Sequence, residues 1–429
     1  MKKSFAILLS AALFAGFTSC DNEQEDIFDE TAAHRLNHAL EEYQGYLSSA
    51  ENGWVMEYFA NNNEAGYPIL MKFDAAGSVT MAGKNAVATG GKYMEQKSLY
   101  ELIADNGPVL TFDTYNNILH AFSNPEDDPN TEDNEQGLGH EGDYEFVIYE
   151  ATPDYFHFKG KKYGLDIYMY KLPADMVWEE YYTTIDEIRN EYFNSKVKQI
   201  WFEAAGERYT VTGMSTGLLS FVPEGGDAIT ETTTAAFVVL LDGSVHFCKP
   251  FKGIKGSFAV QNFAVGEDGL LHCTDEGQDA KMYCDGPAVM FTTAGYTWRV
   301  NKDTMTGNFA TAYEDLKVGA LNASKSNPLQ YIEYAYKSND NKVYMTVKTS
   351  KRTFVYYLDV VTEGETVKLS YTDGNCDSNG AKFLKDCPEM TEYINIICKE
   401  TLNLTGNSNM ALTQITFANA NGTFDADLR

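Results

Sequence analysis

The first readable pattern is an apolar stripe at helical spacing. Leu36, Leu40, Tyr43 and Leu47 recur at i, i+4, i+7 and i+11. This spacing predicts a helix that starts near Asp29 or Thr31, either of which can cap it. The period then changes to two. Trp54, Met56 and Tyr58 alternate with Val55, Glu57 and Phe59, the pattern of a strand. Ile69 to Phe73 and Ser78 to Ala82 flank Asp74-Ala75-Ala76-Gly77 and read as a hairpin. Val109 to Phe112, Asn117 to Phe122, Tyr144 to Tyr149, Tyr155 to Lys159 and Asp166 to Lys171 are further strand candidates. Short strands joined by turns predict an antiparallel sheet, and Pro173 ends the block.

The pattern then starts again. Trp178, Tyr181, Ile185, Ile188 and Tyr192 predict a second helix from about Met176 to Phe193. Lys198 to Phe202 and Tyr209 to Met214 read as strands. Phe237 to Leu241 and Ser244 to Cys248 bracket Asp242-Gly243, a strong hairpin signal. Phe263 to Val265 and Leu270 to Cys273 repeat the device around Asp268-Gly269. A helix followed by hairpins thus occurs twice, as a duplicated helix-plus-sheet unit would. A third block opens with a helical stretch from Thr306 to Leu316, then strands Val343 to Thr349 and Thr353 to Val361. Pro388 stands at a first helical position and opens a helix to about Leu402, with Met390, Ile394 and Ile397 on its apolar face. Leu412 to Phe417 is a final strand. The expected class is α+β: antiparallel β-sheets covered by a few helices.

The beginning of the chain follows a different logic. Lys2 and Lys3 precede an apolar run from Phe5 to Phe17. The run is too short to span a bilayer, which takes about 20 apolar residues, and reads as a secretory signal. Phe17-Thr18-Ser19-Cys20 closes it. Small residues before a cysteine resemble the lipobox of bacterial lipoproteins, although Phe17 stands where Leu is usual. That resemblance implies a diacylglycerol on the Cys20 thiol, cleavage before it, and fatty acylation (palmitate) of the new first residue. Asp21-Asn22-Glu23-Gln24-Glu25-Asp26 is acidic and has nothing to bury, as expected of a tether. It resembles the signal that sends Bacteroidetes lipoproteins to the cell surface. The expected division is signal peptide 1–19, acidic tether 20–28, an N-terminal α+β domain 29–173, a helix-plus-sheet domain 174–303 and a C-terminal α+β region 304–429.

Charge narrows the partners. The chain carries 33 basic and 62 acidic residues, net −29. Without Lys2 and Lys3 the balance is 31 against 62, net −31. Such a charge repels nucleic acid and anionic polysaccharide. The remaining cysteines, Cys248, Cys273, Cys284, Cys376, Cys387 and Cys398, all lie in the C-terminal half. An exported location permits disulfides. Cys273 and Cys284 flank a turn-rich stretch, and a tight turn at Gln278-Asp279 would set them across a hairpin, so they are the expected bridge. Cys387 and Cys398 would stand about 16 Å apart along a helix, too far to join.

Several segments resemble one family. They are Asp29-Glu30-Thr31-Ala32-Ala33-His34-Arg35-Leu36, Asn52-Gly53-Trp54-Val55-Met56-Glu57-Tyr58, Leu110-Thr111-Phe112-Asp113-Thr114-Tyr115-Asn116, Gly142-Asp143-Tyr144-Glu145-Phe146 and Lys159-Gly160-Lys161-Lys162. Together they are similar to the Bacteroidetes lipoprotein family catalogued as domain of unknown function 4302, from Cys20 to about Pro173. The resemblance implies an outer-membrane, cell-surface location and a setting beside SusC/SusD-type nutrient importers. It brings no chemistry and no catalytic or binding residues.

Candidate chemistry is weak throughout. His34 and His38 share a helix face near Glu41 and Glu42, but Arg35 stands where a metalloprotease helix needs Glu. The acidic run from Glu126 to Glu145 lacks the calcium-loop order, and Asp373-Asn375-Asp377 lacks the turn glycine and terminal Glu. His246, Cys248, His272, Cys273 and Cys284 hold no Cys-x-x-Cys knuckle. No metal or cofactor is therefore expected. The letters Gly-x-Ser-x-Gly at Gly213-Met214-Ser215-Thr216-Gly217 and Gly-x-Gly-x-x-Gly at Gly137-Leu138-Gly139-His140-Glu141-Gly142 stand before no predicted helix, so neither is read as a nucleophile elbow or a phosphate-binding loop. Trp54, Trp178, Trp201 and Trp298 are candidates for sugar stacking or, more simply, for core packing. The expected function is non-catalytic capture of a glycan or peptide as an accessory to a SusC/SusD-type importer. The alternatives are a surface hydrolase with an unrecognised carboxylate or metal site, and a structural or adhesive surface protein.

Overall fold

The computed structural model describes residues 31–127, 137–214, 216–253 and 256–429. The signal peptide, Cys20, the acidic tether and Asp29 lie outside the described residues, as does the middle of the acidic run, residues 128–136.

Thr31 caps the first helix, α1 (Ala32–Ser49), its hydroxyl accepting from the His34 N–H at 3.3 Å. Leu47 on its apolar stripe is fully buried, and the indole of Trp54 donates to the Leu47 carbonyl at 3.0 Å. A nine-stranded antiparallel sheet follows. Its strands are β1 (Trp54–Phe59), β2 (Gly66–Phe73), β3 (Ser78–Gly83), β4 (Met94–Leu99), β5 (Glu101–Ala104), β6 (Pro108–Thr111), β7 (Glu145–Ala151), β8 (Tyr155–Gly160) and β9 (Asp166–Lys171). They lie in the order β4-β3-β2-β1-β9-β8-β7-β6-β5. First and last strands are therefore neighbours, and the two edges, β4 and β5, are separated in sequence by Tyr100 alone. The sheet is forced to curl. Two short helices, α2 (Ala86–Thr89) and α3 (Asn117–His120), pack against each other, and α3 lies on β3 and β4 beside the gap.

The segment Asn117 to Phe122, expected as a strand, is thus helical: α3 runs into a 3-10 turn, Ala121–Ser123. The cause is the residue before it. Asn116 caps α3, its side-chain oxygen accepting from Ile118 N–H at 3.1 Å.

The second unit is α4 (Trp178–Tyr192) and a closed eight-stranded barrel. The strands are β10 (Ile200–Ala204), β11 (Glu207–Thr212), β12 (Leu218–Pro223), β13 (Thr233–Val239), β14 (Val245–Lys252), β15 (Ala259–Val265), β16 (Leu271–Cys273) and β17 (Ala280–Tyr283). Both expected Asp-Gly hairpins form, with Gly243 at φ +81° and Gly269 at φ +73°. Aromatic rings fill the interior; Phe221 and Phe251 stack at 4.1 Å and Phe202 meets Phe251 at 5.3 Å. This barrel is a packed core, not a pore.

The third unit holds α5 (Pro287–Phe291), β18 (Trp298–Asn301), α6 (Gly307–Ala323), β19 (Leu329–Lys337), β20 (Lys342–Thr349), β21 (Thr353–Glu363), β22 (Thr366–Ser370), α7 (Ser378–Asp386), α8 (Pro388–Lys399), β23 (Leu402–Gly406), β24 (Gln414–Asn419) and β25 (Gly422–Leu428). Its eight strands also close into a barrel; named by unit, this is the third barrel and that of β10–β17 the second, the first unit being the open curled sheet. β18 pairs with both β19 and β25, Trp298 lying opposite Tyr334 and Leu428. The boundary drawn between residues 303 and 304 is therefore corrected: the third unit already includes β18. The architecture is α+β, with antiparallel sheets throughout. No helix among the described residues is long and apolar enough to cross a membrane.

Candidate functional site

The first sheet and the second barrel are not separate bodies. Ala236 and Val238 of β13 join the core of the first sheet, while Ala235, Phe237 and Val239 point into the barrel core. The run Ala235 to Val239 is buried at every position, which fits a strand covered on both faces. β1 is its counterpart. Trp54, Met56 and Tyr58 face the sheet's core, and Val55 packs with the barrel. From α4, the Tyr182 hydroxyl donates across the junction to the Ala82 carbonyl at 2.8 Å.

This junction buries a carboxylate. Glu57 is only 1% exposed. Its neighbour is His246 of β14, whose Nδ1 lies 2.9 Å from Glu57 Oε1. Glu57 Oε2 and the Tyr181 hydroxyl are buried with no partner among the described residues. Burial raises the Glu57 pKa, and the His246 hydrogen bond only partly offsets it. For His246, burial works against the imidazolium, but the hydrogen bond and charge of Glu57 outweigh it, so its pKa is raised. Beside the pair opens a cleft of about 370 Å³ lined by Val55, Tyr170, Tyr181, Leu241, Asp242 and His246.

A row of rings leads into this cleft. On the outer face of β7, β8 and β9, cross-strand register places Glu57 opposite Tyr168 and Tyr168 opposite His157; beside them Val55 faces Tyr170 and Tyr170 faces Tyr155. His157 and Tyr168 stack at 4.7 Å, and Tyr155 and Tyr168 at 6.1 Å. Tyr149, 64% exposed, extends the row at 5.7 Å from His157, and Tyr170 meets His246 at 6.3 Å. Half-burial pushes the Tyr155 hydroxyl up to about 12, so it remains a donor. The arrangement offers stacking faces, hydroxyl donors and one buried carboxylate at the inner end. Among the described residues of this row and cleft, no Ser, Thr or Cys is hydrogen-bonded to Glu57 or His246.

The residues singled out from sequence are scattered. His34 and His38 are both exposed on α1. Asp377 is the cap of α7, its carboxylate accepting from Gly380 N–H at 2.6 Å and Val355 N–H at 3.2 Å, so the Asp373-Asn375-Asp377 pattern belongs to a helix start. Of the five His and Cys candidates, His246 meets Glu57, Cys248 donates to Asn62 Oδ1, His272 meets Asp268, Cys273 donates to Asp275, and Cys284 donates to the Ser408 carbonyl. Among the described residues no three His, Cys, Asp or Glu side chains gather in a metal-binding group. The expected Cys273–Cys284 bridge is corrected: both are free thiols. Leu271 pairs with Met282 and His272 with Lys281, which sets Cys273 opposite Ala280, not Cys284. The two cysteines are offset by about 13 Å along the strand. Trp54 and Trp298 are fully buried; Trp178 donates to the Asn52 carbonyl at 3.0 Å, and Trp201 lies under the Arg208 guanidinium at 3.6 Å. All four are packed. The stacking surface is made instead of tyrosines and His157, which alternate along β8 and β9 in the sequence. Glu57 within an otherwise apolar run was a second visible signal.

Residues 24–266 match the family model described as Domain of unknown function (DUF4302). These 243 of 429 residues are more than half of the chain, and the chain belongs to this family. The match runs past Pro173, through the curled sheet and into the second barrel, so the unit is larger than the resemblance drawn from sequence. No curated relative matches the chain. Among solved structures the chain is similar to the β subunit from DNA polymerase of Streptococcus pyogenes, at 10% identity over 91% of this chain and 96% of that one, with a TM-score of 0.13. It is also similar to the DNA polymerase sliding clamp from Pseudomonas aeruginosa with ligand (10%, 91% and 97%, TM-score 0.11) and to the H. pylori beta clamp with diflunisal (11%, 92% and 96%, TM-score 0.13). At such TM-scores the likeness carries no argument about fold or function.

Proposed function

We propose that this protein is a non-catalytic, lipid-anchored surface protein that captures a nutrient, a glycan or peptide, on the aromatic row of β7–β9, as an accessory to a SusC/SusD-type importer. The row itself carries the reading. Rings presented side by side across strands suit stacking on sugar faces or apolar peptide side chains, and the cleft beside Tyr170 and His246 gives the row an inner end. Glu57, Asp242 and Asp166 flank it, offset in part by Lys159 and Lys171, and within a chain of net charge −29 this favours neutral or cationic ligands. Anchoring through Cys20, and a Bacteroidetes outer membrane as its site, are supported by the short apolar run, Ser19-Cys20, the acidic tether and the family resemblance.

Two experiments test this. Fatty-acid labelling should mark the protein and disappear in Cys20→Ala; label that survives the substitution rejects the anchor. The mature chain carrying Cys20→Ala should bind members of a glycan and peptide panel, with Tyr168→Ala weakening binding about tenfold while leaving stability within about 1 kcal/mol. Steady product release from the same panel, abolished by Glu57→Gln, would move the reading to a hydrolase. Binding unaffected by Tyr168→Ala would place the ligand elsewhere.

A further inference from the structure

A second cavity, of about 340 Å³, lies in the third unit, between the C-terminal end of α6, the β20–β21 turn and α7. Three cations line it: Lys351, Arg352 and Lys382, against one carboxylate, Asp386. The local balance is three against one, net +2, in a chain whose net charge is −29. Elsewhere many basic side chains are paired, as in Lys84–Asp186, Lys161–Glu145, Arg299–Glu333 and Lys342–Asp359. Here none of the three cations has an ion-pair partner among the described residues. Like charges gathered at one spot repel, and in a chain with this excess of acid a neutralising carboxylate would be easy to supply.

Cations beside a helix C-terminus can simply serve its carbonyls. These do not. The Lys351 ammonium donates to Ser326 Oγ at 2.7 Å, and none of the three donates to an α6 carbonyl among the described residues. A second observation is independent of charge. Asn327, only 7% exposed, lines the same cavity. Its Oδ1 accepts from Lys351 N–H at 2.8 Å, and its amide NH2, which makes no protein hydrogen bond among the described residues, is not among the buried unpaired atoms and faces the cavity. The residue is held in place by that bond while its amide opens onto the cavity, where it is available as a donor to a bound acceptor.

We propose that this cavity is a binding site for a small oxyanion: a carboxylate, sulfate or phosphate, free or carried on a polar body of up to roughly hexose size. Arg352 supplies the planar fork that pairs with two oxygens, Lys351 and Lys382 supply point charges, and Asn327 donates at the base. The site shares no residue with the aromatic row and takes the opposite charge class of ligand.

The test uses the mature chain with Cys20→Ala, titrated calorimetrically at constant ionic strength with inorganic phosphate, sulfate, glucuronate and galacturonate, and with glucose as the neutral counterpart. At least one oxyanion should bind saturably and glucose should not compete. The double variant Arg352→Ala/Lys382→Ala should weaken binding about tenfold or more. Asn327→Asp keeps the acceptor for Lys351 N–H but places a carboxylate at the base, and it should weaken binding while preserving the fold by circular dichroism. Uronates binding more tightly than phosphate and sulfate would identify an acidic sugar; equal binding would identify the free oxyanion. No saturable binding of any probe up to about 10 mM, well weaker than a specific site requires, would overturn the proposal. So would binding that both variants leave unchanged.

Discussion

The curled sheet and the third barrel are built from the same material and end differently. In both, the first strand pairs with the last: β1 with β9, β18 with β25. The third barrel has no other break, so each of its strands has two neighbours. The curled sheet breaks in the middle of its sequence, between β4 and β5. Asn116 and α3 cover the β4 side of that break, and α1 packs against β5. The Asn116 amide donates to the Gln96 carbonyl at 3.2 Å and to Ser98 Oγ at 3.1 Å, and Asn117 N–H donates to Gln96 Oε1 at 2.9 Å. The edge is thereby occupied instead of offered to other chains. The lesson is that closure is not the only way to protect a meander. A gap filled by a capped helix also works, and it leaves an outer face to be divided between a neighbouring barrel and solvent.

The largest test of this contrast removes one tryptophan from each region. Trp54 and Trp298 are both fully buried, and truncating either to Ala should cost about 3–5 kcal/mol. Hydrogen exchange should separate them. Trp54→Ala should weaken protection in the curled sheet and the second barrel together, because β13 serves both cores. Trp298→Ala should act mainly on the third barrel. Unchanged protection in the second barrel of Trp54→Ala would refute the shared core.

A smaller effect is expected at the gap. Asn116→Ala removes the α3 cap and the bonds to β4, at a cost of about 1–3 kcal/mol. Denaturant titration reads the cost, and light scattering should report self-association through the freed edge. A variant as stable and monomeric as the parent would show the plug to be dispensable.

The smallest expected effect concerns the buried pair. His246 is raised above its ordinary 6.5 by Glu57, with Asp242 and Asp275 adding to it, so its stabilisation is complete below 6.5 and is lost as pH rises through the raised value. Glu57 is also raised, from 4.5, and its contribution has the same sign. The thermal midpoint should fall as pH climbs above 6.5, and His246→Gln should flatten that slope. A midpoint that rises over this window would contradict the pairing.

Much of this fold was legible, and the failures have causes. Helices with a clear apolar stripe appeared where expected: Met176 to Phe193 was read for α4, observed as Trp178–Tyr192. Hairpins with Asp-Gly turns were equally plain, because only a few residues accept the positive φ that Gly243 and Gly269 adopt. Asn117 to Phe122 misled because apolar residues sit on both faces of a short helix buried in a gap; Ile118, Leu119, Ala121 and Phe122 are all buried. Asp377 misled because a capping carboxylate and a calcium ligand look alike in sequence. The closure of β18 on β25 and the pairing of Glu57 with His246, 189 residues away, were beyond local pattern. Glu57 in an apolar strand announced that a partner must exist, but not which.

The sharing of β13 between two cores has a consequence for how such proteins can be cut, fused and inherited. Pro173 looks like a seam in the chain, but a fragment ending there would lose Ala236, Val238 and Cys248 from its own interior. It would also bare Val55, Leu70 and Ala82 to water. Recombination at that point would hand on half a core. A viable crossover must carry the curled sheet and its barrel together, so the smallest heritable piece of this architecture is the pair.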